Sequence, residues 1–297
     1  MMVSADRAET YERPMSLLRH IELCNDFRAD RFLPFRHGAD RLGLIRRNNA
    51  EALRRFPKLF TVQDDGVRFL AEGSFDELSK IIDDVTETLV SAGLVSKWRY
   101  ECFTVAPHWG ATPRFKIDRG AVPFFSVKAY GVHLNGFRRD GDALQLWIGR
   151  RSPKKAVAPG KLDNLVAGGI GYPHGLFETL IKECGEEASI PEPIANRSVP
   201  VGAVSYRMEV KHGLRDDVLF CYDLDCPKDF VPQVGDDELV GFELRDARDA
   251  IELAAHGDAF KFNVNLVLID FGLRHGIISP DHPDYLALTT GIHRPFD

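Results

Sequence analysis

The sequence lacks long apolar runs, closely paired cysteines and an apolar leader. No run of about 18 apolar residues occurs in its 297 residues, so we expect no membrane-spanning segment. The opening residues, MMVSADRAETYERP, have no apolar stretch of the kind that secretory signals contain. The five cysteines are widely scattered without CxxC spacing, which argues against a disulfide framework and a zinc site. Reduced thiols of this kind predict a cytoplasmic protein.

The sequence also lacks an excess of basic residues. It has 38 Lys and Arg against 44 Asp and Glu, a formal net charge of −6. Nucleic-acid-binding proteins usually carry a basic surface, so this balance predicts no nucleic-acid partner. The lack of a long apolar run predicts no membrane partner. A small anionic substrate remains compatible with it, because a bound divalent metal can reverse the local field. The pattern contains no signal for an oligomeric state.

The chain divides into regions of different pattern. Residues 1–14 read as a flexible tail, residues 15–122 as a smaller α+β module, and residues 123–297 as a mixed α/β domain. The boundary is placed near Pro123, where long strand-like runs begin.

Local signals within the first module predict a helix and a hairpin. Ser74 and Glu77 form a capping-box pattern at the start of SFDELSKIIDDVTETLVSAG, and Gly93 is a natural stop for that helix. Asp65-Gly66 lies between two short apolar runs, which predicts a tight hairpin turn there.

An acidic helix is the first feature that suggests chemistry. The apolar spacing predicts a helix from Leu176 to Ala188, on which Glu183, Glu186 and Glu187 are neighbours on one patch. Three carboxylates there repel one another and lie near the end of the helix where the macrodipole disfavours anions. A solvated acidic face is one interpretation, and a site for a hard cation such as magnesium is the other.

Three glycines precede this helix. Gly168, Gly169 and Gly171 follow the apolar run Leu165-Val166-Ala167, which reads as a strand. Glycine lets a ligand or a side chain approach the main chain closely. A strand, a glycine loop and an acidic helix together favour a compact site for metal and phosphate.

The segment from Gly168 to Ile190, GGIGYPHGLFETLIKECGEEASI, resembles the Nudix box, whose pattern is G-x5-E-x7-R-E-U-x-E-E-x-G-U with U apolar. KECGEE matches R-E-U-x-E-E, Ile190 matches the final apolar position, and Gly168-Gly169 stands where the box begins. The resemblance implies a Nudix α/β/α sandwich with a mixed sheet, preceded here by the smaller α+β module.

The box departs from its pattern at several positions. Lys182 replaces the arginine, Ser189 replaces the last glycine, and the loop is one residue shorter than usual. His174 occupies the position of the early glutamate, which in the family chiefly braces the box arginine. Glu178 lies one helical turn before Lys182, so we expect it to brace that lysine by an i,i+4 pair.

The flanking segments resemble one branch of the Nudix superfamily. GKLDNLVAGG, VGAVSYRMEV, RDDVLFCYDL and LVLIDFGLRHGIISPDHPDYL are similar to the Nudix domain fused to thiamine pyrophosphokinase in some fungi, with a DUF4743-type module in front. The resemblance implies hydrolysis of thiamine diphosphate, especially its damaged oxo and oxy forms, to the monophosphate. Another nucleoside diphosphate derivative as substrate, and a non-catalytic ligand-binding module, are the alternatives.

The resemblance also implies roles for individual residues. Glu183 and Glu187 are the expected ligands of Mg²⁺, or of Mn²⁺ in its place, and Glu186 joins them directly or through water. A backbone carbonyl near Gly168 completes the site. Glu186 and Glu187 are also expected to take part in catalysis. Glu238, in the later segment GDDELVGFEL, is the candidate general base.

The substrate side of the site is less sharply defined by sequence. Arg150 and Arg151 end the strand-like run ALQLWIGRR and are candidates for binding the diphosphate, because arginine suits bidentate phosphate contacts. Tyr206 is a candidate for stacking on a heteroaromatic ring, with a core role as the alternative. His108 and Trp109 in the first module are aromatic candidates for shaping the pocket. The predicted partner is a small-molecule diphosphate.

Overall fold

The computed structural model describes residues 16–294. The predicted flexible tail, residues 1–14, lies outside this range. The elements of the first region are α1 (Leu18–Leu23), a 3₁₀ turn (Ala29–Arg31), β1 (Phe32–His37), β2 (Asp40–Arg46), α2 (Arg47–Leu53), β3 (Phe60–Gln63), β4 (Gly66–Phe69), α3 (Phe75–Ser91), β5 (Cys102–Val105), β6 (Phe115–Asp118) and α4 (Val122–Phe125).

The capping box predicted for α3 is present. The Ser74 hydroxyl accepts a hydrogen bond from the Glu77 amide, and the Glu77 carboxylate accepts one from the Ser74 amide at 2.8 Å. Gly93, just after the helix, has a φ of +70°, the left-handed conformation that ends helices. The hairpin is also confirmed, one residue earlier than expected, because Gln63 pairs with Gly66 across the turn.

The strands of the first region form two small sheets. One has the order β2-β1-β4-β3, and the other consists of β5 and β6. Their apolar faces and the inner face of α3 enclose one core, which includes Phe35, Ile82, Phe115 and Phe125. Burial of these side chains removes a large apolar area from water, which is the main stabilising contribution expected here.

The second region is built on a larger sheet. Its elements are β7 (Lys128–Asp140), β8 (Ala143–Arg151), β9 (Leu162–Asp163), β10 (Val166–Gly169), α5 (Leu176–Ala188), α6 (Glu192–Ala195), β11 (Val199–Val210), β12 (Gly213–Asp225), β13 (Leu239–Asp246), α7 (Ala247–His256), α8 (Val264–Arg274) and α9 (Tyr285–Ile292).

This sheet is mixed and covered on both faces. Its strand order is β11-β12-β7-β8-β13, with β10 paired to β7 and β9 paired to β8. The β12–β7 pairing is parallel, and the other pairings are antiparallel. One core lies between the sheet and α5, and a second lies between the opposite face and α7, α8 and α9. The predicted α/β/α sandwich with a mixed sheet, behind a smaller α+β region, is confirmed.

The first helix packs with the second region. Leu17, Ile21 and Cys24 are buried in the core that α8 and α9 form, whereas the core of the first region runs from Leu33 to Ala129. The division of the chain into residues 15–122 and 123–297 therefore stays a prediction. In the structure, α1 belongs to the first region by sequence but packs in the core of the second.

Within residues 16–294, no helix combines the length and the apolar character that crossing a membrane would require.

Candidate active site

The acidic helix has the predicted bounds, Leu176–Ala188. Leu180, Cys184 and Ala188, which supply the apolar spacing, are fully buried against the sheet, whereas Phe177 is 43% exposed. Ser189 follows the helix with a φ of +49°, so this serine adopts the left-handed conformation that the closing glycine of the box usually supplies. The Ile190 amide then donates to the Cys184 carbonyl at 2.9 Å, which fixes the end of α5.

Gly168 lies directly against this helix. In β10 it pairs with Val132 of β7, and a Cβ added at Gly168 would lie 2.5 Å from both Cγ and Cδ of Glu183. Any larger residue would therefore collide with the Glu183 side chain. The close approach places the main chain of Gly168 beside a carboxylate, which agrees with the arrangement expected at the start of the box.

Glu187 is the most buried carboxylate of the patch, with 5% of its surface exposed. Its Oε2 accepts a hydrogen bond from the Ala167 amide at 2.9 Å. Burial raises the pKa of Glu187 well above its usual value, and the charges of Asp163, Glu183 and Glu238 add to that rise against the Ala167 bond. Burial is also the main cause of a raised pKa at Glu183.

Lys182 pairs with its acidic neighbours rather than with Glu178. Its Nζ lies 2.5 Å from Glu186 Oε2 and 3.4 Å from Glu183 Oε1. Partial burial works against the charged form, but the bond to Glu186 and the charge of Glu183 outweigh it and raise the pKa of Lys182. Glu178 instead accepts hydrogen bonds from His174 at 2.9 Å and from the Gly175 amide at 3.2 Å.

The expected brace between Glu178 and Lys182 is therefore absent from this arrangement. Glu178 caps the first turn of α5, where an acidic side chain is favoured by the helix dipole. The bond from His174, followed by the bond from the Gly175 amide, lowers the pKa of Glu178. His174, at the position of the early box glutamate, thus contributes to the start of the helix.

The donor chemistry of this patch fits a hard divalent cation. Glu183, Glu186 and Glu187 offer only oxygen ligands, which Mg²⁺ and Mn²⁺ prefer. No cationic nitrogen of residues 16–294 lies within 4 Å of the Glu187 carboxylate, so this buried acid lacks a direct countercharge. The same residues hold no ready-made group of three His, Cys, Asp or Glu side chains that could bind a metal. A cation would therefore compete with Lys182 for Glu183 and Glu186.

The loop before Glu238 reaches the end of α5 from a distant part of the chain. The loop before it is tied to the end of α5, because the Gly235 amide donates to the Glu187 carbonyl at 3.2 Å. A Cβ added at Gly235 would lie 2.1 Å from the Glu186 carbonyl oxygen. Glu238 itself forms an ion pair with Lys155 at 2.6 Å. Its charge contributes to the raised pKa values of Glu183 and Glu187.

The three candidates for substrate binding lie in different environments. Arg150 has an exposed side chain, 4.0 Å from Glu243. Arg151 is 7% exposed, and its guanidinium lies 2.6 Å from Asp163. Tyr206 is 1% exposed and its hydroxyl donates to Asp217 at 2.5 Å, in the core on the face opposite α5.

These positions separate the three predictions. Arg150 is accessible for a phosphate contact, whereas the guanidinium of Arg151 is occupied inside the protein. Tyr206 has no exposed ring face on which a substrate could stack. The substrate-binding roles of Arg151 and Tyr206 stay predictions that these buried positions do not favour.

Trp109 was expected to help shape the pocket, but its contact with two further aromatic rings on the sheet face that carries α5 was not predicted. We define the aromatic cluster as Trp109, Tyr130 and Phe220. The ring centroid of Trp109 lies 4.6 Å from that of Tyr130 and 4.7 Å from that of Phe220. Alternation along β7 and β12 could have placed Tyr130 and Phe220 on one face, but only the fold brings Trp109 to them.

The glycine-bounded acidic helix lies on a two-faced mixed sheet, as expected for a hydrolase of diphosphate bonds, and comparison with known proteins gives the family. The chain is 37% identical to Nudix hydrolase 20, chloroplastic, of Arabidopsis thaliana, over 97% of this chain and 80% of that protein. It is 38% identical to Nudix hydrolase 24, chloroplastic, of the same plant, over 91% of this chain and 76% of that protein. The chain belongs to the Nudix hydrolase family and is a phosphoanhydride hydrolase.

Two further comparisons concern parts of the chain. Residues 16–129 match a domain of unknown function, DUF4743, as expected for the first region. The crystal structure of a NUDIX hydrolase from Alicyclobacillus acidocaldarius aligns with 57% of this chain and 98% of that one, at 11% identity and a TM-score of 0.40. This alignment adds nothing to the assignment that the plant relatives give.

Proposed function

We propose that this hydrolase converts thiamine diphosphate, or its oxidised oxo and oxy forms, to the monophosphate with Mg²⁺. The buried Glu187 carboxylate beside Gly168 and Glu183 is the observation that supports a metal-dependent reaction at this patch. The similarity of the flanking segments to the thiamine-related branch supports the choice of substrate. Five free cysteines support a cytoplasmic site of action, whereas the names of the two plant relatives contain the word chloroplastic.

Metal binding and proton transfer are assigned to different residues of the site. Glu183 and Glu187 would hold the cation, with Glu186 directly or through water. When bound, Mg²⁺ neutralises diphosphate oxygens and makes a coordinated water more acidic. Glu238 accepts the proton of the attacking water as its oxygen bonds to one phosphorus and the bridging P–O bond breaks. The products are the monophosphate and inorganic phosphate, and positioning supplies most of the catalysis.

An independent observation favours a second substrate class. A cavity of about 470 Å³ lies where β1, β2, β7 and β11 meet, which is within the usual volume of a small-molecule site. Its cationic lining residues are Arg36, Arg41, Lys128 and Arg207. Arg36 and Arg41 stand opposite each other on neighbouring strands, an arrangement that costs stability. Asp40 and Asp216 also line the cavity, and Arg207 lies 3.2 Å from Asp216. The facing pair Arg36 and Arg41 would match a nucleoside diphosphate derivative with a second anionic group.

The deciding assay is monophosphate release with Mg²⁺ from a panel of diphosphates. The panel contains thiamine diphosphate, its oxo and oxy forms, a sugar nucleotide and a dinucleotide. Preference for a thiamine form supports the proposal. Preference for a nucleotide contradicts the thiamine assignment but leaves the assignment as a hydrolase intact. If no compound is cleaved and Glu187→Gln behaves like the wild type, the chain acts as a ligand-binding module instead.

A further inference from the structure

The aromatic cluster lies on the same face of the sheet as the acidic patch. Val132 pairs with Gly168, whose missing side chain would point at Glu183. Tyr130 is two residues earlier on β7, so its side chain points to that same face, about 7 Å along the strand. A diphosphate at Glu183 would therefore place the rest of its molecule within reach of Tyr130.

Phe220 on the neighbouring strand extends this surface. β12 runs parallel to β7, with Phe220 paired to Val132 and Val218 paired to Tyr130. Phe220 packs against the core beneath α5, which confirms the face it occupies. Its ring and that of Tyr130 are nearly parallel, with an interplanar angle of 25° and centroids 6.3 Å apart.

Trp109 covers both rings from the first region of the chain. It lies in the loop between β5 and β6, and 49% of its surface remains exposed despite its contacts with Tyr130 and Phe220. A tryptophan held by two aromatic rings loses little freedom when a planar ligand stacks on it. It can therefore offer a rigid aromatic surface to a planar or cationic ring.

The Tyr130 hydroxyl adds a polar feature to this surface. It is buried and has no hydrogen-bond partner among residues 16–294. Burial, aided by the charge of Asp216, raises the pKa of Tyr130 to about 12, so the hydroxyl keeps its proton at neutral pH. The cluster is thus an apolar platform with a retained donor, rather than a general anion site.

We propose that Trp109 makes the first region part of the substrate site: with Tyr130 and Phe220 it holds the heteroaromatic ring of the diphosphate ester. The inference rests on the proposed function in requiring a ring-bearing diphosphate, and it assigns Trp109 as a residue that determines specificity. It gives the first region a direct part in choosing the substrate.

The test compares wild type with Trp109→Ala and Trp109→Phe. The substrate is the heteroaromatic diphosphate that the wild type hydrolyses best in the panel. Loss of one stacked ring predicts a KM about tenfold higher for Trp109→Ala, with kcat within about twofold, and partial recovery in Trp109→Phe. The inhibition constant of inorganic pyrophosphate, which has no ring, stays unchanged in both variants. Tyr100→Ala, at a side chain 91% exposed in the same region, is the matched control.

Each other result overturns the inference. An unchanged KM in Trp109→Ala shows that the ring does not stack there. Equal increases in KM and in the pyrophosphate inhibition constant show that Trp109 only supports the fold of the site. Failure of the proposed function is a different result, namely that the wild-type protein prefers substrates outside the thiamine group. The two failures are distinguishable because the Trp109 comparison uses whichever ring-bearing substrate the wild type cleaves.

Discussion

Gly168→Ala is the sharpest test of the patch that Gly168 and Glu183 form. The new methyl carbon would lie 2.5 Å from Glu183 Cγ and Cδ, whereas carbon atoms in contact are normally about 3.5 Å apart. The Glu183 carboxylate, or the strand, must therefore move by about 1 Å. Gly168 has no left-handed φ, so backbone strain does not enter the comparison.

A displacement of that size has a large expected effect on catalysis. Misplacing a catalytic group by 1 Å can cost about 100-fold in rate, which corresponds to about 2.7 kcal/mol in the activation barrier. We expect kcat/KM to fall by about that factor, and the Mg²⁺ concentration for half-maximal activity to rise, because Glu183 is an expected metal ligand. Steady-state kinetics over a Mg²⁺ titration measures both quantities.

Gly185→Ala is the matched control, since it adds the same methyl group to the box helix. A Cβ at Gly185 would meet no atom within 4 Å. Replacing a helix-interior glycine by alanine stabilises by about 0.5–1 kcal/mol, so a small rise in melting temperature with unchanged activity is expected. If folded Gly168→Ala retained activity within about threefold of wild type, the close approach of Gly168 to Glu183 would have no part in catalysis.

Three other predictions address the loop, the metal and the pH response. Gly235→Ala places a Cβ 2.1 Å from the Glu186 carbonyl oxygen and should displace the loop that carries Glu238. We expect kcat to fall by about tenfold or more. An unchanged kcat and pH–rate profile would contradict this. Glu187→Gln removes a buried acid whose raised pKa means that the protein loses stability as pH rises. In EDTA at pH 8 the variant should therefore melt at a higher temperature than wild type, and this difference should disappear at acid pH. Added Mg²⁺ should stabilise only the wild type. Burial lowers the pKa of His133 from 6.5 to about 4, so its neutral form contributes stability that is lost as pH falls from 6.5 towards 4. The loss is about 3 kcal/mol. In urea unfolding, the free energy of unfolding should therefore fall less steeply with decreasing pH for His133→Gln than for wild type.

Local elements followed closely from local sequence. The α5 bounds, the capping box at Ser74 and the stop at Gly93 depend on residues a few positions apart, so the helical period and cap chemistry were sufficient to predict them. The strands β1 and β2 were not predicted. Their segment, FLPFRHGADRLGLIR, is rich in arginine, and its strand character depends on pairing within the sheet and on burial of Phe35 and Ile45.

The candidate site divides in the same way. The sequence alone identified the acidic patch and the glycine beside it, because Glu183, Glu186 and Glu187 are neighbours on one helix. The spacing did not decide which acid Lys182 pairs with, because Glu178 and Glu186 lie four residues before and after it. The structure shows Glu178 bonded to His174 and Lys182 paired with Glu186.

Long-range placement was beyond the reach of local pattern. The loop of Glu238 touches the end of α5 because distant strands pair in one sheet. Trp109 contacts Tyr130 and Phe220 because the separate β5–β6 hairpin packs against that sheet. By itself the sequence determined the box helix, its charge and the type of chemistry, all of which depend on residues close along the chain. The fold decided which distant side chains meet that helix, because sheet register and burial are fixed by the whole chain.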